Sequence, residues 1–171
     1  MKLIDIMLKR RSIRKYKNDE IPKEKLDKII EAGLLAPTSR NRKPCEFLIV
    51  KDEHLINQLS KSKDLGSQFL KSAKVTIVVI ANSEIDTWIE DSSIALSFMH
   101  LMSTEQEIGS CWCQIHLRKT ANNEDSEEYV KNLLNLEDKY RIVGILGLGI
   151  PDIELKPYTL ENLDYTKVKY I

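Results

Sequence analysis

Six consecutive β-branched residues, Val75-Thr76-Ile77-Val78-Val79-Ile80, constrain the fold of this chain more than any other stretch of it. Branching at Cβ favours extended backbone, and a nearly unbroken apolar run needs cover on both faces. A central strand with packed layers above and below it is therefore expected.

Hydrophobic spacing supplies candidates for those layers. Leu3, Ile6, Met7 and Arg10 recur at helical intervals, predicting a short helix that ends at Arg10-Arg11. Pro22 suits the first turn of a second helix, with Leu26, Ile29, Ile30, Gly33 and Leu34 as its buried stripe and Pro37 as its stop. Cys45 to Val50 reads as a strand, and Asp52 as the cap of a helix reaching about Ser60. Trp88 to Glu107 is the longest helix candidate, with Ala95, Phe98, Met99 and Met102 on one side. Ser110 to Ile115 and Ile142 to Leu148 read as further strands, and Asp125 to Leu134 as a helix started by acids. Beyond Pro151 the periodicity fades, yet Tyr165 to Ile171 alternates as an added strand would. No repeat, low-complexity tract or linker divides the sequence, so one domain over residues 1–171 is expected, with 152–171 as a tail that needs a surface to lie on.

Composition narrows the function. A chain of 171 residues, 42% hydrophobic and 30% charged, fits a globular domain of ~100–200 residues and excludes global disorder. Zero net charge argues against a nucleic-acid coat protein. The charge is unevenly spread, however: residues 1–51 hold 14 basic and 7 acidic groups, and residues 52–171 hold 12 and 19. That asymmetry suits a small anionic ligand or an acidic partner surface, and equally a scatter of solvated lysines. Three cysteines, Cys45, Cys111 and Cys113, are too few and too odd in number for a secreted disulfide framework. A reducing, cytoplasmic setting follows. Asp5 interrupts the opening apolar run, and no apolar stretch nears ~18 residues, so neither secretion nor a membrane span is expected.

Two segments carry chemistry. Arg10-Arg11-Ser12-Ile13-Arg14 sets three guanidinium groups and a hydroxyl just past a helix, a donor set able to hold a phosphate, or else a solvated basic face. Ala36-Pro37-Thr38-Ser39-Arg40-Asn41-Arg42-Lys43-Pro44 places hydroxyls and an amide between turn-forming prolines; such a loop caps a helix end or binds polar ligands.

In their order along the chain these segments resemble the FMN-dependent nitroreductase family. Its R-R-S-x-R element matches Arg10-Arg11-Ser12-Ile13-Arg14, and its A-P-S/T-x-x-N-x-x-P element matches Ala36 to Pro44. Its G-S-C-W strand matches Gly109-Ser110-Cys111-Trp112, and its G-x-P ending matches Gly149-Ile150-Pro151. Cys45 replaces the usual aromatic after the second proline. The resemblance implies an α+β, three-layer fold: a central mixed, mostly antiparallel sheet flanked by helices, with the C-terminal strand exchanged in a homodimer. It implies FMN as cofactor, with Arg10, Ser12 and Arg14 on the phosphate and ribityl chain and Arg11 at the polar edge of the flavin. Pro37, Thr38, Ser39 and Asn41 would reach the flavin held mainly by the other subunit, and backbone amides at Trp112, Cys113 and Gln114 would pass the isoalloxazine. Lys156 carries over from a C-terminal K-x-R, whose arginine is Tyr158 here. A lysine that some relatives place near the flavin pyrimidine aligns with Gln68, and Lys71 and Lys74 lie close by. The short interval from Ala81 to Trp88 leaves no room for a helical lid and implies an open substrate face.

The activity so implied passes hydride from NADH or NADPH through flavin to a nitroaromatic, quinone or activated alkene by a ping-pong route, with no catalytic side-chain acid or base. A flavin-binding redox sensor or storage protein, or a structural homodimer with a vestigial site, would carry the same motifs. Cys111, Cys113 and His116 lack a standard zinc spacing, and buried thiols packing as small hydrophobes are preferred to a metal site. His54 and His100 fall within helix patterns and take ordinary surface or core roles.

Overall fold

The computed structural model describes residues 2–171. β1 (Cys45–Val50), β2 (Val75–Asn82), β3 (Gly109–Gln114) and β4 (Tyr140–Gly149) form one sheet in the order β1-β2-β4-β3. The β-branched run thus occupies an inner position, and seven of the eight β2 residues are buried. All three strand pairs are antiparallel. The parallel component expected of the sheet is reduced to an isolated bridge between Ser12 and Ser110. A bulge lies opposite Val79 and Ile80, where β4 inserts Val143 between Ile142 and Gly144. The freed Val143 carbonyl accepts the backbone N–H groups of Ile115 and His116 and so ends β3.

Helices cover both faces. α2 (Lys23–Leu35) and α4 (Trp88–Glu105) pack Leu26, Ile29, Leu96 and Met99 on Ile77, Val79, Leu146 and Leu148. α3 (Glu53–Leu59) and α5 (Ser126–Leu134) bring Ile56, Leu59 and Val130 against Val78, Ile80, Ile142 and Ile145 on the other face. Each such side chain stabilises the fold by about 1.5–3 kcal/mol. α3 and α5 start on acids as their sequences predict: the Asp52 carboxylate accepts from Leu55 N–H at 2.7 Å, and Asp125 accepts from Glu127 and Glu128 N–H. Close approach of α2 to α4 requires Gly33, where a Cβ would sit 2.9 Å from Met99 Sδ.

Two expectations of helix-face burial fail, and one strand is not formed in the single chain. Leu34 is 62% exposed, and Ala32 takes its place in the buried stripe because α2 lies turned one residue from the expected face. Phe98 likewise points outward, 40% exposed. Tyr165 to Ile171 forms no strand in the single chain. Instead the Asp164 carboxylate accepts from Thr166 N–H and stabilises a short 3-10 turn at Tyr165–Lys167.

The segment after α1 (Leu3–Lys9) positions the basic residues. Ile13 N–H donates to Ser110 O, Lys17 N–H to Ile150 O, and Asp152 N–H to Lys15 O. The buried Tyr16 hydroxyl donates to Ile13 O at 2.6 Å and lies 3.1 Å from Gly147 O, while its ring occupies the space a Cβ on Gly149 would need. Residues 10–17 are thereby clamped across the ends of β3 and β4.

Candidate functional site

Extended backbone turns alternate side chains to opposite sides, and the clamped segment does so here. Arg10, Ser12 and Arg14 share one side: Ser12 is bridged to Ser110 of β3, Arg10 Nη1 lies 3.1 Å from His100 Nε2, and the charges of Arg14, Lys63 and Arg10 are felt at the Cys111 thiol. Arg11 and Ile13 turn the other way. Arg11 donates to the Lys156 carbonyl and its guanidinium lies 4.6 Å from the Tyr158 ring centre; with Ile13 it lines a cavity of about 600 Å³ beside Gly109 and Pro151. Among the described residues Arg10, Arg14 and Lys63 form no ion pair with a carboxylate. Three cations without carboxylate partners and a hydroxyl near the end of β3 are a donor set suited to an anion.

Burial governs the neighbouring titratable groups. It raises the Cys111 thiol above its usual range against the opposing pull of Arg14, Ser12, Lys63 and Arg10, and pushes Cys113 up to about 11. Both are therefore neutral thiols at physiological pH, unsuited to nucleophilic work. His100 is lowered to about 4, by burial first and by the Arg10 charge second, and is neutral.

Thr38 to Asn41 form a second cluster. Arg40, Asn41 and Lys43 hold φ of 52°, 55° and 48°, the left-handed region, at a cost of about 1–2 kcal/mol for each residue other than asparagine. Side chains fix this shape. Lys43 N–H donates to Thr38 Oγ1 at 3.0 Å, Ser39 N–H to the buried Asp91 carboxylate at 2.9 Å, and Arg42 to Asp86 at 2.5 Å. Pro37 and Asn41 are left exposed. The loop meets α4 at Asp91, whereas Arg10 meets it at His100, nine residues or about 13 Å further along. Within one chain the two clusters stay apart.

The end of β3 splits its side chains in the same way. Trp112 Nε1–H donates to Gln114 Oε1 at 3.1 Å on one face, in a space that only Gly144 leaves open, while Cys113 faces Gly66 on the other. His116 and Glu127 close the corner beyond: the 3%-exposed Glu127 carboxylate accepts from Arg141 at 2.7 Å, from His116 at 2.7 Å and from Ile142 N–H at 2.9 Å. Cys111, Cys113 and His116 are thus engaged with different partners.

This fold has counterparts. The family model described as the nitroreductase family matches residues 7–63 and 57–150. The chain belongs to the nitroreductase family. An FMN-dependent nitroreductase from Clostridium difficile R20291 shares 43% sequence identity, with a TM-score of 0.95 over 98% of each chain. A structure from Parabacteroides distasonis, provisionally named NADH dehydrogenase/NAD(P)H nitroreductase, shares 28% identity at a TM-score of 0.88 over 98% of this chain and 96% of that one. An Archaeoglobus fulgidus protein with the same provisional name is 30% identical, over 90% of this chain and 87% of its own.

Within this nitroreductase fold the residues around Gln68 take separate places. Gln68 folds back on its own turn, bonding Gly66 N–H and the Asp64 carbonyl. Lys74 pairs with Glu53 and Glu20, and Lys71 lines a separate cavity with Asn57. Lys63, five residues before Gln68, is the cation that faces the thiols; no spacing argument marked it. His100 and Asp91 were missed for a different reason, since a polar residue on a helix carries no sequence signal of what lies across from it. Lys156 is exposed and forms no ion pair, its carbonyl being taken by Arg11.

Proposed function

We propose that the chain is an FMN oxidoreductase that passes hydride equivalents from NADH or NADPH to a nitroaromatic, quinone or activated alkene by a ping-pong route, as a cytoplasmic homodimer. The observation that carries this reading is that Arg10, Arg14 and Lys63, without carboxylate partners among the described residues, lie near enough to the end of β3 to bear on Cys111, beside the bridge that ties Ser12 to Ser110. Bound FMN would supply the redox chemistry, taking hydride from the nicotinamide and giving two electrons to the acceptor. Arg10, Ser12, Arg14 and Lys156 fit the phosphate and ribityl chain by charge-assisted hydrogen bonds. Lys63 fits the role of stabilising negative charge on the reduced ring, because Arg11 is turned onto Tyr158. Backbone amides at Trp112, Cys113 and Gln114 are the candidates beside the ring. Thr38 to Asn41 and Pro37 would come from the other subunit, which accounts for a strained, exposed loop with no ligand role in its own chain. The neutral Cys111 and Cys113 thiols support a reaction that uses no side-chain nucleophile.

An anaerobic titration tests the reading. Purified protein saturated with FMN is mixed with NADH or NADPH, and then with an acceptor panel. Bleaching of the flavin by a nicotinamide, followed by reoxidation by an acceptor, is the expected result. Flavin that binds but stays oxidised would make the protein a holder and not an enzyme; failure to bind FMN at all would sink the reading.

A further inference from the structure

We infer that His100 is a positioning residue for the anion site: from the buried side of α4 it holds the Arg10 guanidinium in the orientation that receives the flavin phosphate. This rests on the flavin reading above. Arg10 Nη1 lies 3.1 Å from His100 Nε2, and His100 Nδ1 lies 2.5 Å from Ser110 Oγ. A guanidinium can only donate, so Nε2 must accept, and the ring proton sits on Nδ1, from which it is donated to Ser110. Ser110 is the residue bridged to Ser12, and its carbonyl takes the Ile13 N–H. One imidazole, 8% exposed, therefore fixes Arg10 relative to Ser110 of β3, the residue to which Ser12 is bridged.

The choice of a neutral acceptor matters. A carboxylate in this place would orient Arg10 equally well but cancel its charge, leaving little attraction for a phosphate. A buried imidazole with its pKa lowered to about 4 orients the guanidinium and leaves the positive charge to the ligand. Fixing a long side chain before the ligand arrives also removes the loss of rotamer freedom from the cost of binding.

The test compares FMN with riboflavin, which lacks the phosphate, by fluorescence titration of the full-length protein and its variants. In the unaltered protein FMN should bind more tightly than riboflavin. His100→Leu should lower FMN affinity by about tenfold or more, the scale of a hydrogen bond to a charged group, and leave riboflavin affinity within about twofold. His100→Gln, whose amide oxygen can still accept from Arg10, should recover most of the loss. In an Arg10→Ala background His100→Leu should cost nothing further, an outcome a merely structural histidine would not give. If His100→Leu does not fold, Ser110→Ala replaces it: releasing the ring should weaken FMN several-fold with riboflavin unmoved. An unaltered protein that prefers FMN, with variants that keep the full preference, overturns the role of His100 and spares the flavin reading. An unaltered protein that binds both flavins equally removes the phosphate assignment, and with it this inference.

Discussion

His100 and Arg14 meet the same ligand field in opposite states of burial, and their substitutions separate stability from binding. The His100 pKa falls from an ordinary 6.5 to about 4 in the folded chain. Between those values the unfolded chain binds more protons than the folded one, so stability rises with pH through this window and is lost as pH falls from 6.5 towards 4. The loss attributable to this ring is about 2–3 kcal/mol at pH 4.5. Urea unfolding at pH 7 and pH 4.5 should show a smaller drop for His100→Gln than for the unaltered protein; equal drops would refute the assignment. Arg14 is exposed, so Arg14→Ala should leave the urea midpoint nearly unchanged while weakening FMN binding by about 1.5–3 kcal/mol. At this scale the residues themselves marked Arg10 to Arg14 as one cluster of donors, and the family resemblance singled out Arg10, Ser12 and Arg14 as a set. What no local signal gave is the partners of Arg11, the Lys156 carbonyl and the Tyr158 ring, which lie far along the chain.

Element starts and strand positions were readable where the cause was local. Asp52 and Asp125 cap helices through their own side chains, and the β-branched run set β2 at the centre. What was not readable is how elements are tied together. Glu127, in the first turn of α5, joins that helix to the start of β4 through Arg141 and Ile142 and to the end of β3 through His116. Burial pushes its carboxyl up, but the Arg141, Ile142 and His116 hydrogen bonds outweigh burial and hold it below the usual range. Its stabilisation is present above the ordinary carboxylate pKa and is lost as pH falls through the depressed folded value. Glu127→Gln, which leaves a neutral amide facing Arg141 and His116, should cost about 3 kcal/mol in urea unfolding at pH 7, with the α-helical circular dichroism of the folded protein retained. A cost below about 0.5 kcal/mol would place the corner among surface ion pairs of no consequence.

At the scale of the whole molecule, apolar side chains of the tail and of two helices stand exposed. Beyond Tyr158, whose N–H is bound to Leu8 O, the hydrogen bonds of the tail run within the tail itself, while Leu160, Leu163, Tyr165, Val168, Tyr170 and Ile171 are exposed. Leu3, Ile4 and Met7 on α1 and Ile89 and Phe98 on α4 are exposed as well. Such a surface suits a second copy of the chain, and a two-fold arrangement would give two equivalent sites. Sequence alone showed that the tail lacked a core of its own, and no local signal specifies the surface on which it lies. The separation of the two site clusters along α4 makes the shared site testable. Asn41→Asp keeps a residue that tolerates φ of 55° and adds a negative charge, and Arg14→Glu reverses a charge on an exposed side chain. Each homodimer should hold flavin poorly, because both changes oppose a bound anion. Refolded together, the two chains form mixed dimers in which one site collects both lesions and the other has neither. Flavin binding and nicotinamide oxidation should then return to about half the occupancy of the unaltered dimer in the mixed species. Mixed dimers that form, as judged by a size tag on one chain, yet recover no flavin would show that Arg14 and Asn41 do not meet across the interface.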